Sequence, residues 1–293
     1  MREGGLRGES LTIGIFDSGI GGLSVWREIV RQLPLEPTLY FADQAHIPYG
    51  PRPLEEVRNY AVGITRFLLD QGAELIVVAC NTASGAALYH LRETFPHVPF
   101  VGMEPAVKPA AERSQRGIIG VIATPATLQG NLFRKLSERF AHQVILKTQV
   151  CPGLVECVEA GELTGPDVDA MLHRYLDPMI EVGADPAGPI DHLVLGCTHY
   201  PFLSPAIQQV VGPGVTLIDP APAVARQVRR VLKRNGLLAT DNGQKTASDH
   251  FYTTGDTKKL ADHLRQLVHV RHEDDPPIFS VVWNGLRATL SSL

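Results

Sequence analysis

Short apolar runs rich in valine and isoleucine recur along the chain, and glycine, proline and polar turn residues follow each of them. The runs are continuous rather than alternating, which is typical of parallel strands covered on both faces. Stretches with helical periodicity separate them, for example Leu54–Gln71. The pattern predicts an α/β protein with strands in LTIGIF, TLYFA, ELIVVA, PFVGM, GIIGVIA, QVILKT, HLVLG and VTLID.

The strand pattern also repeats within the chain. IGIFDSGIGG, which begins at Ile13, resembles IGVIATPATL, which begins at Ile119. A length of 293 residues leaves room for two domains of roughly 100–150 residues each. We therefore expect two similar doubly wound lobes, the first from residues 1–103 plus 219–293 and the second from residues 104–218.

Composition narrows the class of ligand. The net charge of −4 and the 20% of charged residues argue against nucleic acid or an anionic membrane surface as the main partner. No apolar run approaches the ~20 residues of a membrane helix, and the first ten residues lack the apolar stretch of a secretory signal. The sequence thus favours a cytoplasmic protein that binds a small metabolite.

Two cysteines stand at equivalent points of the repeat. Cys80 and Cys197 each follow an apolar strand, at the edge of an α/β sheet where ligands bind. Backbone N–H groups and the positive end of a helix dipole there favour the thiolate, so each is a candidate base or nucleophile. The alternative is that both are small buried apolar residues and that duplication alone explains the pairing.

The other two cysteines have no such context. Cys151 and Cys157 are interpreted as structural, and four scattered cysteines suit no disulfide framework, so we expect reduced thiols. No C-x2-C pair and no H-E-x-x-H motif is present, so we expect no zinc site.

Polar residues beside the strand ends form a second set of candidates. Asp17 and Ser18 in FDSGIGG are followed by glycines that leave backbone amides open to an anion, or that meet a need for positive φ in the turn. His199 follows Cys197 by two residues, near enough to act as a general acid or base or to tune the thiol.

Two further motifs are less specific indicators of a functional site. In HIPYG, Tyr49 can stack or donate a hydrogen bond and Gly50 allows close approach, although an ordinary turn around Pro48 explains the motif equally well. Glu159 lies on a predicted helix with glutamates at every third position, which also describes a solvated face.

The strand-end motifs are poor in positive charge. The windows Thr12–Val25, Val78–His90 and Val194–Leu203 contain no lysine or arginine. A charged ligand would therefore be held by backbone amides, hydroxyls and side-chain amides. This suits an amino-acid zwitterion better than a polyphosphate.

In combination, GIFDSGIGGLSV, ADQAHIPYG, ACNTAS, MEPAVKPA and LGCTHYPFL resemble the glutamate racemases of the aspartate/glutamate racemase family, and the matches run from about residue 12 to 222. The resemblance implies a cofactor-independent enzyme that interconverts L- and D-glutamate and supplies D-glutamate for peptidoglycan. It also implies pseudo-twofold related lobes with the active site in the cleft between them, no metal, and a homodimer.

The resemblance assigns roles to residues. It implies that Cys80 and Cys197 are the catalytic thiols, that Asp17 assists Cys80, that His199 assists Cys197, and that Glu159 is the second-lobe carboxylate. It further implies that Cys80 acts on the D face and Cys197 on the L face of the substrate. The implied substrate contacts are Asp17, Ser18, Tyr49, Gly50, Asn81, Thr82, Thr124, Thr127, Thr198 and His199.

Three alternatives remain open at this point. An aspartate racemase differs by one methylene of substrate, which is worth only ~1–3 kcal/mol of discrimination. An amino-acid-binding regulator would keep the cleft without turnover, although the presence of both cysteines argues against it. A pyridoxal-phosphate enzyme would need a Schiff-base lysine, for which Lys108 is the candidate within a motif.

Overall fold

The computed structural model describes residues 12–140, 142–181, 187–239, 245 and 247–291. Within these ranges the chain forms two sheets with helices packed on them. The strands are β1 (Ile13–Asp17), β2 (Thr38–Ala42), β3 (Leu75–Val78), β4 (Phe100–Gly102), β5 (Ile118–Ala123), β6 (Ile145–Val150), β7 (His192–Gly196), β8 (Thr216–Ile218), β9 (His250–Thr253), β10 (Ile278–Asn284) and β11 (Arg287–Leu290).

Helices connect the parallel strands and cover the sheets. They are α1 (Leu23–Gln32), α2 (Leu54–Asp70), α3 (Asn81–Thr94), α4 (Val107–Arg113), α5 (Pro125–Gln129), α6 (Asn131–Phe140), α7 (Leu154–Ala160), α8 (Pro166–Ile180), α9 (Ser204–Val211), α10 (Ala221–Arg234) and α11 (Thr257–Val268). No helix in the described ranges is long and apolar enough to cross a membrane.

The two sheets share a strand order. The first runs β11-β10-β9-β2-β1-β3-β4 and the second runs β6-β5-β7-β8. Counted along the chain, the first four strands of each sheet lie side by side in the order second, first, third, fourth. The third strands, β3 and β7, therefore occupy equivalent places. Every pair is parallel except the β10–β11 hairpin. This confirms the predicted α/β class with parallel-sheet cores.

All the apolar runs predicted as strands are present, as β1 to β8. The central strands β1, β2 and β3 are buried along their whole length, which explains their continuous apolar character. The pattern missed β9, which is short and mostly buried, and β10 and β11, which are mostly exposed or partly exposed. The sequence did contain one signal for the β10–β11 hairpin, the dipeptide Asn284-Gly285. This dipeptide is typical of hairpin turns, and Gly285 has a φ of 63°.

The chain crosses from the first sheet to the second after β4 and returns through α10, which packs on α1. We refer to the part around the first sheet as the first lobe and to the part around the second sheet as the second lobe. The first sheet draws its strands from residues 13–102 and 250–290, and the second from residues 118–218.

A buried carboxylate fixes the start of β7, the strand that leads to Cys197. The Asp191 oxygens accept hydrogen bonds from the Ser114 hydroxyl (2.7 Å), the backbone N–H groups of Gln115 (2.8 Å) and Arg116 (2.9 Å), and His192 Nδ1 (2.9 Å). Burial raises the pKa of Asp191, but these hydrogen bonds outweigh it and lower the pKa to about 2. The turn before β5 is thereby tied to β7.

Replacing Asp191→Asn should lower the free energy of unfolding by about 1–3 kcal/mol at pH 7, because backbone donors lose a charged acceptor. A depressed pKa contributes stability above the unfolded value near 3.9, and this contribution is lost as the pH falls toward the folded value of about 2. The difference between the two proteins should therefore narrow below pH 4. Urea unfolding between pH 7 and pH 3 measures it, with the exposed Asp70→Asn as control, and a gap that stays constant would contradict the assignment.

Candidate active site

The residues that follow β1, β3, β5 and β7 meet around one small cavity between the lobes. Both thiols at the strand ends, Cys80 and Cys197, line it. The complete lining consists of Ser18, Pro48, Tyr49, Gly50, Cys80, Asn81, Thr82, Thr124, Val155, Cys197, Thr198 and His199. Of the residues predicted for the site, Asp17, Thr127 and Glu159 lie behind this lining and contact its members.

The cavity is small. The volume open to the centre of a water molecule is about 20 Å³. One water occupies ≳10–15 Å³ in this measure, so the cavity holds a water molecule but not an amino acid. Both thiols are nearly inaccessible, with exposed fractions of 5% for Cys80 and 6% for Cys197. Any ligand of amino-acid size must therefore enter while the lobes are farther apart.

Cys80 caps the N-terminus of α3 from within the first lobe. Its Sγ accepts a hydrogen bond from the Ala83 backbone N–H at 3.4 Å and lies 3.9 Å from the Ser18 hydroxyl. The helix terminus lowers the pKa of this thiol as expected from the sequence, but burial and the nearby Asp17 carboxylate outweigh it. The pKa of Cys80 is therefore raised well above its ordinary value.

Asp17 lies behind Cys80. It is fully buried, and its Oδ2 accepts the backbone N–H groups of Gly22 (2.9 Å) and Gly19 (3.4 Å). No hydrogen bond satisfies Oδ1, although the Cys80 thiol is close enough to influence the carboxyl. Burial raises the pKa of Asp17 above its ordinary value, against the lowering effect of His199 and the Gly22 N–H. Asp17 is thus poised to exchange a proton with the thiol.

Cys197 has a different set of partners in the second lobe. Its Sγ lies 3.6 Å from His199 Nδ1, and His199 Nε2 lies 2.8 Å from Glu159 Oε1. Burial lowers the pKa of His199, but Cys197 and Glu159 raise it well above its ordinary value. Burial raises the pKa of Glu159, but its hydrogen bonds with His199, Ile20 and Gln44 have the larger effect and lower the pKa overall. This arrangement favours an anionic Glu159 that holds a proton on Nε2 of His199.

Glu159 joins the lobes as well as orienting His199. Its Oε1 accepts the Ile20 backbone N–H at 2.8 Å, and its Oε2 accepts the Gln44 side-chain amide at 3.2 Å, both from the first lobe. The position of Glu159 in the sequence of α7 did not distinguish it from the neighbouring glutamates, because its contacts with the first lobe depend on how the two lobes meet. Gln44 was missed by sequence reasoning, although it lies two residues after the end of β2.

The FDSGIGG glycines are required by packing and not by positive φ, since none of the three has a φ in that range. A Cβ on Gly19 would lie 2.1 Å from Glu159 Oε1, and one on Gly21 would lie 2.4 Å from His199 Nδ1. From the sequence, the backbone amides of this loop were expected to bind an anion. They instead donate hydrogen bonds to the protein's own carboxylates, Asp17 and Glu159. The glycines therefore let the first lobe approach the second.

Hydroxyl groups connect the lobes on the other side of the cavity. Thr82 Oγ1 and Thr124 Oγ1 are 3.0 Å apart, and Thr124 Oγ1 is 2.9 Å from Thr127 Oγ1. Asn81 is buried against the cavity, and neither its amide nitrogen nor its amide oxygen has a hydrogen-bond partner. Ser24, also missed from the sequence, donates to the Thr198 carbonyl at 2.9 Å.

The HIPYG loop is held by a buried carboxylate that sequence reasoning also missed. Asp43 accepts hydrogen bonds from Tyr49 (2.6 Å), Thr254 (3.0 Å) and Trp283 (2.9 Å). The Tyr49 hydroxyl is therefore engaged by Asp43 while the residue lines the cavity. Gly50 approaches Thr124 closely, since a Cβ there would lie 3.2 Å from the threonine Cβ.

Other chemically reactive groups lie elsewhere. Lys108 is 58% exposed, lies 3.7 Å from Glu112, and borders a separate cavity of about 370 Å³ between β4, α4 and α10. Burial raises the pKa of Cys151 to about 12 and raises that of Cys157, and neither lines the small cavity. Among the described residues, no group of three or more His, Cys, Asp or Glu side chains is arranged to hold a metal ion.

The Asp/Glu/Hydantoin racemase family model matches residues 13–228. The chain belongs to this family. A glutamate racemase from Ectopseudomonas mendocina is 49% identical over 248 residues, which cover 85% of this chain and 91% of the relative. The racemase fold is likewise similar to that of known structures. A glutamate racemase isoform from Bacillus anthracis has a TM-score of 0.81 at 32% identity, covering 93% of this chain and 97% of that one.

A second solved structure is similar over almost the whole racemase. It is the Escherichia coli glutamate racemase in complex with L-glutamate and the activator UDP-MurNAc-ala. Its TM-score is 0.79 at 30% identity, and the match covers 97% of this chain and 100% of that one.

Replacing Gly21→Ala should shift the racemase toward separated lobes, because the added methyl group collides with His199 and Thr198. A cost of 1.4 kcal/mol in the closed form raises the open fraction about tenfold. Alkylation of Cys80 and Cys197 by iodoacetamide, followed by mass spectrometry, should accelerate accordingly. Gly85→Ala is the matched control, because its Cβ meets nothing within 4 Å and alanine favours the α3 helix. Equal labelling rates in both variants would contradict the packing role.

Proposed function

We propose that this racemase interconverts L- and D-glutamate without a cofactor, by proton transfer at Cα between two thiols. The observation that carries the proposal is the equivalent placement of Cys80 and Cys197. They follow β3 and β7, the corresponding strands of two sheets with the same strand order, and they line one cavity. Two acid–base groups contributed by opposite lobes suit a reaction on opposite faces of one carbon.

Inversion requires two groups. One thiolate removes the Cα proton, its electron pair remains on the carbon, and the opposing thiol donates a proton to the other face. A single base would return the proton to the side from which it came. We assign removal of the proton from L-glutamate to Cys197 and removal from D-glutamate to Cys80, in line with the resemblance noted from the sequence.

Each thiol has its own means of becoming a thiolate. Cys80 has a raised pKa in the closed site, so its proton must pass to an acceptor such as the unpaired Oδ1 of Asp17. Cys197 faces Nδ1 of His199, whose opposite nitrogen is bound to Glu159. Because Cys197 and Glu159 raise the pKa of His199 well above its ordinary value, His199 can take the thiol proton at Nδ1 and hold it as an imidazolium that Glu159 stabilises.

The carbanion is the difficult intermediate, because an amino-acid Cα–H is weakly acidic. As it forms, charge moves onto the adjacent carboxylate, which hydrogen-bond donors can stabilise in a site that excludes water. Ser18, Asn81, Thr82 and Thr198 line the cavity, and the amide of Asn81 has no protein partner. No lysine or arginine lines it. We therefore assign recognition of the zwitterion to hydroxyl and amide groups.

Glutamate is supported as the substrate by the relatives, which are glutamate racemases, one of them in complex with L-glutamate. Aspartate is one methylene shorter, so it is the competitor to test. We further propose that the lobes separate to admit substrate and close to exclude water. Supply of D-glutamate to peptidoglycan, a cytoplasmic location and a homodimer remain predictions from the resemblance.

Replacing Cys80→Ser or Cys197→Ser should lower racemisation of glutamate by about 10²- to 10⁴-fold, because a hydroxyl is a much weaker acid than a thiol at the same position. Circular dichroism follows the rate from either enantiomer, and calorimetry checks that D-glutamate still binds. Cys151→Ser is the control and should retain turnover. Turnover by both single variants would contradict the two-thiol assignment, whereas turnover of aspartate alone would change only the substrate.

Replacing His199→Asn or Asp17→Asn should distinguish the two sides of the site. The enantiomers have equal free energy, so kcat/KM stays equal in both directions for every variant, and isotope effects are needed instead. With substrates deuterated at Cα, His199→Asn should raise the isotope effect from L-glutamate and lower it from D-glutamate, because the step at Cys197 becomes limiting. Asp17→Asn should have the opposite effect. Changes of the same sign in both variants would contradict the assignment.

A further inference from the structure

A continuous series of hydrogen bonds leads from the end of β9 to the Cys197 side of the cavity. The Gly255 backbone N–H donates to Thr253 Oγ1 at 2.9 Å, and Thr253 Oγ1 donates to Gln44 Oε1 at 2.8 Å. Gln44 Nε2 donates to Glu159 Oε2 at 3.2 Å. The series continues through His199 to the Cys197 thiol.

The donors and acceptors fix the orientation of the Gln44 amide. Thr253 Oγ1 accepts from the Gly255 N–H and has one proton of its own to donate, which goes to Gln44 Oε1. The Gln44 amide nitrogen is then directed to Glu159, an anion that can only accept. Packing restrains the side chain as well, since a Cβ on Gly255 would lie 2.8 Å from Gln44 Oε1 and 2.9 Å from its Cβ.

The series crosses from one lobe to the other at a single step. Thr253 and Gln44 belong to the first lobe, whereas Glu159, His199 and Cys197 belong to the second. Separation of the lobes therefore removes the Gln44 amide from Glu159. On the opposite side of the cavity, the described hydrogen-bond partners of Cys80 come from its own lobe, namely Ser18 and the Ala83 N–H, with Asp17 nearby. Closure thus completes the hydrogen-bond series behind Cys197, whereas the hydrogen bonds of Cys80 do not cross between the lobes.

We propose that Gln44 is a positioning residue that acts through Glu159 and His199, so that proton transfer at Cys197 becomes efficient only when the lobes close; this rests on the two-thiol function proposed above. With its Oε2 held by Gln44 and its Oε1 shared by Ile20 and His199, Glu159 has one orientation. His199 is then held in the tautomer that leaves Nδ1 free to receive the thiol proton. Thr253 and Gly255, which belong to this series of hydrogen bonds, lie beyond residue 228, where the family match ends.

The test uses the purified full-length protein with Gln44→Leu, which removes both amide hydrogen bonds while keeping similar bulk. We expect kcat to fall about tenfold through loss of a hydrogen bond to a charged acceptor. With Cα-deuterated substrates, the isotope effect should rise from L-glutamate and fall from D-glutamate. Thr253→Val should produce the same asymmetry with a smaller loss, because it releases the Gln44 amide without altering Gln44 itself.

Gln44→Glu provides a pH-dependent variant. A protonated carboxyl at this position can donate to Glu159, whereas the ionised form repels it. The rate relative to wild type should therefore be highest at acid pH and fall as the pH rises. A role limited to packing would not produce this dependence.

The matched control is Gln266→Leu. The Gln266 amide also crosses between the lobes, donating to the Gly161 carbonyl at the end of α7 at 2.9 Å, but it does not touch the series. Its isotope effects should match those of wild type. Isotope effects that change in the same direction from both enantiomers in Gln44→Leu, or the same asymmetry in Gln266→Leu, would overturn the role of Gln44. A wild-type protein that racemises no glutamate would instead overturn the proposed function, and the role of Gln44 with it.

Discussion

The close contact between the FDSGIGG loop and the second lobe is the constraint on which the site depends. Gly19 and Gly21 lie against Glu159 and His199 with no room for a side chain, and the Ile20 N–H binds Glu159. The same loop begins with Asp17, beside Cys80. One short segment therefore places the proposed proton acceptor beside one thiol and contacts the groups beside the other. Its glycines serve the approach of the two lobes.

Similar strand order does not make the two thiols equivalent. Cys80 is served by a buried carboxyl with an elevated pKa, whereas Cys197 is served by an imidazole held by an anionic carboxylate. A carboxyl and an imidazole accept protons under different conditions, so the same strand order carries different supporting groups in the two lobes. The cavity between the thiols is too small for a substrate in this form, which is why we propose that the lobes move during the reaction.

The sequence predicted the parts of this arrangement that depend on local pattern. Continuous apolar runs marked β1 to β8, and the residues at the ends of β1, β3 and β7 were expected near a ligand because parallel strands end at a common edge, whereas those after β5 were expected only from the family resemblance. The pattern did not predict the raised pKa of Cys80, which results from burial by groups distant in sequence. The sequence analysis also missed Asp43, Gln44 and Ser24. Each of them acquires its hydrogen-bond partner only in the folded chain.

The central claim is that two thiols act on opposite faces of one carbon. Proton NMR of L-glutamate in D2O, with the enantiomers separated at early times, tests it most directly. A two-thiol reaction predicts that the D-glutamate formed carries solvent deuterium at Cα while the remaining L-glutamate keeps its proton. Deuterium appearing equally in both enantiomers from the start, as a single exchanging base would produce, would contradict the account.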